Sequence, residues 1–588
     1  LILKGLNINN DEEIATTRKA LQMREKTVSI ASSAVLIIIG IIALFLAWFG
    51  QSVSWRFLLA LYPLLVILFG VALLRQSGLV MAIVGLVITI VLAVFWFGTP
   101  FEVVFGASVY GFLKSFGISI SVAATMLMVF LMKEVGVLST VSRVIKQQVV
   151  GDEVRALYIG IGFGSFLTSL GVVTPALFPP LLVAMGFSPA SAVAIAVLGY
   201  DPTTSFSLLS IPITLPAEAS YGLIGVAINP VAFAFRIAVF LPLVSTGFAF
   251  AVLWLVGGKQ SMRRGAVPAA VCGLTLAFAC LGAVALDNFT GMEYMPLRIV
   301  GIVAGLCAMA SLLVYQKLKP SIRHKENNTD YLSKREVFRA FSPWIILTVL
   351  AATVSVPDVG HWLSSLLGDF EKVTVFANQT VDFDFLSQIY TWIFVAILLS
   401  LPVLKPTREQ AKRAVDVWVR RFWGPFLTFG LYFSISFVMA DSAMEIVNGV
   451  LRPISGVYNA FNMNVVLGVT LASVFGVGYV FVAAYLGLFG AIVGGSEASS
   501  NLLFMKIQKT ASDSVGLGYD GFLTVYGSHA AAGGIASAVT PAKINNAVVT
   551  IDAGKETESV IMRRHLIVAV LLTVATGVLT GVLVNLGL

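Results

Sequence analysis

Charge is what this chain has least of. Of its 588 residues only 12% are charged, against about 25% in soluble domains. The hydrophobic share is 58% and the mean hydropathy +0.93. No polar stretch between apolar segments is long enough to fold alone, which excludes a soluble catalytic domain and leaves an all-α polytopic membrane protein. Cysteine is nearly absent: Cys272, Cys280 and Cys307 all lie in apolar segments, show no metal-ligand spacing and carry no information on redox compartment. Four scattered histidines make a metal site equally hard to assemble. There is no H-E-x-x-H, no G-x-S-x-G elbow and no G-x-x-x-x-G-K-[ST] loop, so neither a hydrolytic enzyme nor an ATP-driven pump finds its motif. No cofactor or metal is expected.

What charge there is serves orientation. The net charge of +8 comes from Lys and Arg between apolar spans, where membrane topology requires them and nucleic-acid binding does not. A span needs about 20 apolar residues. Such runs occur at roughly 28–50, 55–74, 78–98, 104–132, 189–212, 223–257, 266–286, 297–316, 341–357, 388–404, 422–440, 463–489, 522–550 and 566–586. The run at 28–50 lacks a small-residue cleavage site and reads as a span rather than a leader. The sequence opens on Leu1 rather than Met, so upstream residues are expected. Three loops are basic: Lys133–Arg155, Lys317–Arg335 and Lys405–Arg421, and these are expected to face the cytoplasm. The stretch 358–384 holds five acids against Lys372 alone and suits the outside.

Two stretches interrupt the helical pattern, one in each half. GFGSFLTSLGVVTPALFPP (Gly162–Pro180) is followed by LGYDPTTSFSLLSIP (Leu198–Pro212). FGAIVGGSEASSNLLF (Phe489–Phe504) is followed by GGIASAVTPAKINNAVV (Gly533–Val549). Irregular backbone survives at membrane depth only inside protein or beside a water-filled cavity, and a matched pair of interruptions is a sequence pointer to a transport site. The helix before the first interruption ends in the cytoplasm near Lys133, whereas the helix before the second starts there after Arg421 and ends outside near Asp441. The halves are therefore expected to be inverted repeats, 28–257 and 258–588, preceded by a cytoplasmic segment 1–27.

Asp201-Pro202, Thr540-Pro541, Thr174-Pro175 and Ser188-Pro189 each read as an N-cap side chain followed by Pro at the first helical position. A helix that restarts at midplane also offers unpaired N–H groups and a positive dipole end to a carboxylate. In GGSEASSN, Glu497, Ser500 and Asn501 share one helical face. A charged, unpaired carboxylate at that depth costs at least about 2.5 kcal/mol, so Glu497 is expected to be protonated, paired or wet. Lys543 and Asn545 could hold an anionic group. Arg236 reads as an interior or snorkelling cation and Asp441 as a helix end. His529 reads as a packed, hydrogen-bonded residue, and His324 and His565, among basic neighbours, as topological.

At these residues the chain resembles the lactate permease family. The family's G-S-D-T-S-S-N-A-L-F stands here as Gly495-Ser496-Glu497-Ala498-Ser499-Ser500-Asn501-Leu502-Leu503-Phe504. Its G-A-F-L-E-G followed by G-F-G-x-P is similar to Gly164–Ser169 followed by Gly171–Pro175, and its S-P-Q to Thr540-Pro541-Ala542. Two positions depart: Thr168 stands where the family has an acid, and Ser537 where its G-K-M-I-S-P has Lys. Lys543 lies six residues on and is expected to face elsewhere.

The resemblance implies a secondary transporter in the cytoplasmic membrane for a small monocarboxylate such as lactate or glycolate, symported with H+. Na+ coupling and another organic anion form the alternative. By analogy with carriers that move a transport domain against a scaffold, it implies elevator-type architecture. Paired re-entrant hairpins fall at about 156–185 and 484–510, and broken helices at about 189–212 and 522–550. Ser499, Ser500, Asn501, Thr203, Thr204, Ser205, Thr540, Asn545 and Lys543 are the expected substrate contacts, with Glu497 and Asp201 as proton carriers. Membrane lipids are implied as surroundings, nucleic acid is not, and a homodimer is left open.

Overall fold

The computed structural model describes residues 53–319 and 332–587, apart from 73, 75, 173, 201, 495, 552 and 554. The expected segment 1–27, the span 28–50 and Asp201 lie outside the described residues. Among the described residues the chain is almost wholly helical, and nine helices are long and apolar enough to cross a membrane. In hydrocarbon each backbone N–H and C=O must be satisfied within its own segment, and a continuous apolar helix does that.

The first half opens with α1 (Val53–Ala72), α2 (Gly78–Phe95), α3 (Phe101–Lys114) and α4 (Phe116–Val135). The amphipathic α5 (Val137–Gln148) follows. Next, α6 (Asp152–Leu157) runs through a π-helical turn (Tyr158–Phe163) into α7 (Gly164–Ser169), which breaks before α8 (Thr174–Ala184). A second interrupted element comes directly after it: α9 (Pro189–Leu198), two short 3-10 turns (Thr204–Phe206 and Leu208–Ser210), then α10 (Ile211–Ile224). The short α11 (Pro230–Ala238) leads to the long helices α12 (Leu241–Arg264), α13 (Ala266–Thr290) and α14 (Leu297–Leu318).

The second half begins with α15 (Lys334–Val354) and α16 (Pro357–Leu367), then a hairpin of β1 (Lys372–Phe376) and β2 (Gln379–Asp382). Helices α17 (Ile389–Leu404), α18 (Arg408–Arg421) and α19 (Trp423–Ala440) precede a second hairpin, β3 (Met444–Val447) and β4 (Val450–Pro453). After α20 (Tyr458–Phe461) and α21 (Met463–Phe475), α22 (Tyr479–Gly494) breaks before α23 (Glu497–Ser514). Then α24 (Gly518–Ile535) passes through a 3-10 turn (Ala536–Val539) into α25 (Pro541–Val549), and α26 (Lys555–Asn585) closes the chain. Each half thus carries one helix–break–helix element followed at once by another.

Two boundaries and one element type differ from the sequence reading. The broken helix of the first half continues to Ile224, so the run expected at 223–257 starts later, where Asn229 caps Pro230. The run at 463–489 is divided by Gly476 at φ +53, a left-handed position that an α-helix does not pass through. Two antiparallel hairpins interrupt the all-helical pattern. That of β3 and β4 turns on Asn448 and Gly449, both at positive φ (54° and 73°), the signature of a type I′ turn.

Candidate functional site

The interruptions of the two halves meet in the interior. The stretch between α9 and α10 packs against α10, α23 and α24. Its backbone is held out of the ordinary helical region: Thr204, Leu208, Leu209 and Ser210 lie at φ 47°, 50°, 56° and 59°. Non-glycine residues there cost on the order of 1–3 kcal/mol each and persist only where the surroundings over-determine them. Those surroundings are visible. The Ser245 hydroxyl on α12 donates to the Pro202 carbonyl (2.6 Å), and the Ser210 hydroxyl to the Leu297 carbonyl (2.7 Å). On the other side, Gly533 and Gly534 of α24 let the chains approach. A Cβ on Gly534 would sit 2.6 Å from Cβ of Thr204, and one on Gly533 would sit 3.0 Å from Cγ of Glu497.

Glu497 is the first residue of α23, and Ser496 caps it by accepting from the Ser499 N–H (3.1 Å). An acid in a first turn complements the positive end of the helix. The carboxyl is nearly buried, 7% exposed, and accepts a hydrogen bond from the Ser205 hydroxyl across the two halves. One turn on, the Asn501 amide donates to the Pro212 carbonyl at the start of α10 (3.0 Å), and Tyr526 donates to the Asn501 carbonyl (2.7 Å). The hydroxyls of Thr203 and Thr204 and the amide oxygen of Asn501 are buried with no hydrogen-bond partner among the described residues. Burying such groups unmet costs about 1–3 kcal/mol each, which a polar occupant would recover.

Lys543 corrects an expectation. Its ammonium donates to the Ser537 hydroxyl (2.6 Å) and lies 3.9 Å from the ring centroid of Tyr200. The change of direction between the 3-10 turn and α25 brings it back to the position where the resemblance places a Lys. The second broken helix therefore presents a cation to the end of α9, beside the first interruption.

Other expected contacts are otherwise engaged. Ser499 serves the cap with Ser496 (2.9 Å). Ser500 bonds His529 Nε2 (3.0 Å) and the Gly487 carbonyl (3.3 Å). Thr540 stands at the N-cap position of α25, but its hydroxyl donates back to Ala536 (2.9 Å) instead of capping. Thr174 is the first residue of α8 rather than a cap, and its hydroxyl reaches the Ala196 carbonyl (3.2 Å). Ser188 caps α9 as expected, accepting from the Ser191 N–H (3.2 Å). The side chain of Asn545 lies outside the described residues. Thr168, where the resemblance has an acid, donates its hydroxyl to the Gly164 carbonyl of its own helix.

The histidines divide. Nδ1 of His529 takes a hydrogen bond from the Gln508 amide (2.9 Å), whose other proton goes to the Ala483 carbonyl (3.3 Å), while Tyr479 donates to its oxygen (2.5 Å). With Nδ1 an acceptor the ring is neutral, a packed residue as expected. His565, read as topological, is instead fully buried, and its Nδ1–H donates to the Ala538 carbonyl behind the second interruption (2.7 Å). Arg236 pairs with Asp520 (2.9 Å) and donates to Thr524 (3.1 Å), tying α11 to α24. Among the described residues no group of acids, histidines and cysteines could hold a metal ion.

Comparison with known proteins bears on this arrangement. Residues 56–587 match the family model described as L-lactate permease. The chain is 24% identical over 510 residues to the glycolate permease GlcA of Escherichia coli, covering 78% of this chain and 84% of that protein. It is 24% identical over 572 residues to the L-lactate permease of Bacillus subtilis, covering 87% and 92%. Identity is 23% over 493 residues to the L-lactate permease of Salmonella typhimurium, covering 78% and 84%.

Proposed function

Because the chain belongs to the L-lactate permease family, a family of multi-pass membrane permeases rather than enzymes, we propose that it is a secondary active carrier of a small 2-hydroxymonocarboxylate, symported with protons. The observation that carries this reading is the contact between Ser205 and Glu497, which joins the two interrupted elements at a helix start. The relatives named for L-lactate and glycolate support the substrate class.

In this reading the carboxylate of the substrate lies at the N-terminus of α23 and near Lys543, where a helix dipole and an ammonium favour an anion. The unmet oxygens of Thr203, Thr204 and Asn501 take its hydroxyl. Two carboxylates cannot share a dry site at low cost, so Glu497 binds a proton before the anion enters and gives it up on the far side. Ser205 orients the carboxyl in both states. The interrupted elements move together as a transport unit against the remaining helices, and the two halves are inverted copies. Na+ coupling is the rival, favoured by the same unmet oxygens, which suit a hard cation.

Proteoliposomes decide. Labelled lactate should exchange saturably against unlabelled lactate or glycolate, and uptake should alkalinise the outside. Glu497→Gln should keep exchange while proton movement falls at least ten-fold. Unchanged proton movement removes Glu497 from coupling, uptake that stops when choline replaces Na+ at fixed pH favours the rival, and preference for dicarboxylates sinks the substrate class.

A further inference from the structure

A cavity of about 580 Å³ lies apart from the paired interruptions, behind the first one. Its size suits part of a small amphiphile, since ligand pockets run about 300–1,000 Å³. Its inner wall is apolar: Phe163 from the π-helical turn, Phe166 from α7, Met309 from α14 and Phe341 from α15. Its mouth opens sideways between two spans, where Leu306, Phe338 and Ile345 are 45%, 56% and 45% exposed. Exposed apolar side chains on membrane-spanning helices face acyl chains, so the cavity is continuous with the bilayer rather than with water.

One end of the mouth is at headgroup level. Helix α5, which supplies Val144 and Ile145 to the wall, is amphipathic. Val137, Val141, Val144 and Ile145 are buried, while Arg143, Gln147 and Gln148 are exposed. A short basic helix of that kind lies in the membrane interface. Lys334, the first residue of α15, is exposed on the rim and makes no ion pair among the described residues. It belongs to the basic loop that the charge distribution assigns to the cytoplasm, and basic pockets between spans on that face hold anionic lipid headgroups.

We propose that this cavity is a binding site for an anionic phospholipid, with one acyl chain between α14 and α15 and the phosphate on Lys334. The chain end then contacts Phe163 and Phe166, so the back of the first interrupted element packs on lipid as well as on protein. A water-soluble ligand would meet a wall that is apolar apart from the Tyr158 hydroxyl, and a zwitterionic lipid would bring its own cation beside the ammonium.

The test is independent of transport. Purified full-length carrier is incubated with an equimolar mixture of phosphatidylglycerol and phosphatidylcholine, and retained lipid is counted by native mass spectrometry. The wild type should retain phosphatidylglycerol at least five-fold over phosphatidylcholine. Lys334→Gln, an exposed substitution that leaves the cavity intact, should bring the ratio below two. Leu306→Trp, which fills the mouth, should lower retention of both lipids several-fold. Equal retention of the two lipids by the wild type, or an unchanged ratio in Lys334→Gln, overturns the headgroup assignment and with it the proposal. Lipid retained as well by Leu306→Trp as by the wild type overturns the cavity. Retention of no lipid by the wild type overturns the proposal as a whole.

Discussion

The cation opposite Tyr200 is a question of single residues. The resemblance puts a lysine at 537 and the chain has serine there, with Lys543 at a spacing that a continuous helix would turn away. Thr540-Pro541 breaks that continuity, and the Lys543 ammonium reaches the Ser537 hydroxyl. The ammonium thus lies against the residue where the resemblance places a lysine. If it neutralises the substrate carboxylate, Lys543→Gln should raise KM for lactate about ten-fold, or about 1.4 kcal/mol. The exchange Ser537→Lys with Lys543→Ser should recover most of that affinity in initial-rate uptake. An unchanged KM in Lys543→Gln would confine the ammonium to holding the 3-10 turn. His565 is the opposite case, a residue whose burial is legible in the spacing of its neighbours. Its neighbours Arg563 and Arg564 are exposed, but Ile561, His565, Val568 and Ala569 form an inward stripe at i, i+4, i+7 and i+8.

At the scale of elements, composition reported the interruptions because glycine, serine and proline have to supply the backbone there. It therefore bracketed the breaks within 162–180, 198–212, 489–504 and 533–549. What it could not report is which hydroxyls the breaks spend on themselves. Ser499, Ser500 and Thr540 looked equivalent to Ser205, and only packing distinguishes them. The buried chain Ser500–His529–Gln508–Tyr479 illustrates this, since its members come from α22, α23 and α24 and no local spacing links them. The network is fully satisfied around Gln508, so it fixes the angle between these helices. Gln508→Leu leaves His529 Nδ1 and the Tyr479 hydroxyl unmet, at about 1–3 kcal/mol for each buried group. Thermal unfolding in detergent should fall by several degrees while KM for substrate stays within two-fold. A change in KM without loss of stability would instead move the network into the binding site.

For the molecule as a whole, the open matter is how the halves are oriented. The order helix–break–helix, helix–break–helix occurs twice, and Ser205 and Glu497, 292 residues apart, meet where the two halves touch. A site shared by two copies in the same orientation would bring both entrances to one face. Opposite orientation gives each face one entrance, an arrangement that suits alternating access. If the halves are opposed, the basic loop ending at Arg155 sets the start of the first interrupted element inside, and Asp441, at the far end of α19, sets the second outside. Asp152 and Ser514 are both exposed at the outer flanks of these elements. The native cysteines give little background, since Cys272 and Cys280 are buried and Cys307 half-buried. On intact cells a membrane-impermeant maleimide should label Ser514→Cys, and should label Asp152→Cys only after permeabilisation. Labelling of both from one side would overturn the inverted arrangement, because no tilt of a helix moves a flank across the bilayer without reversing its element.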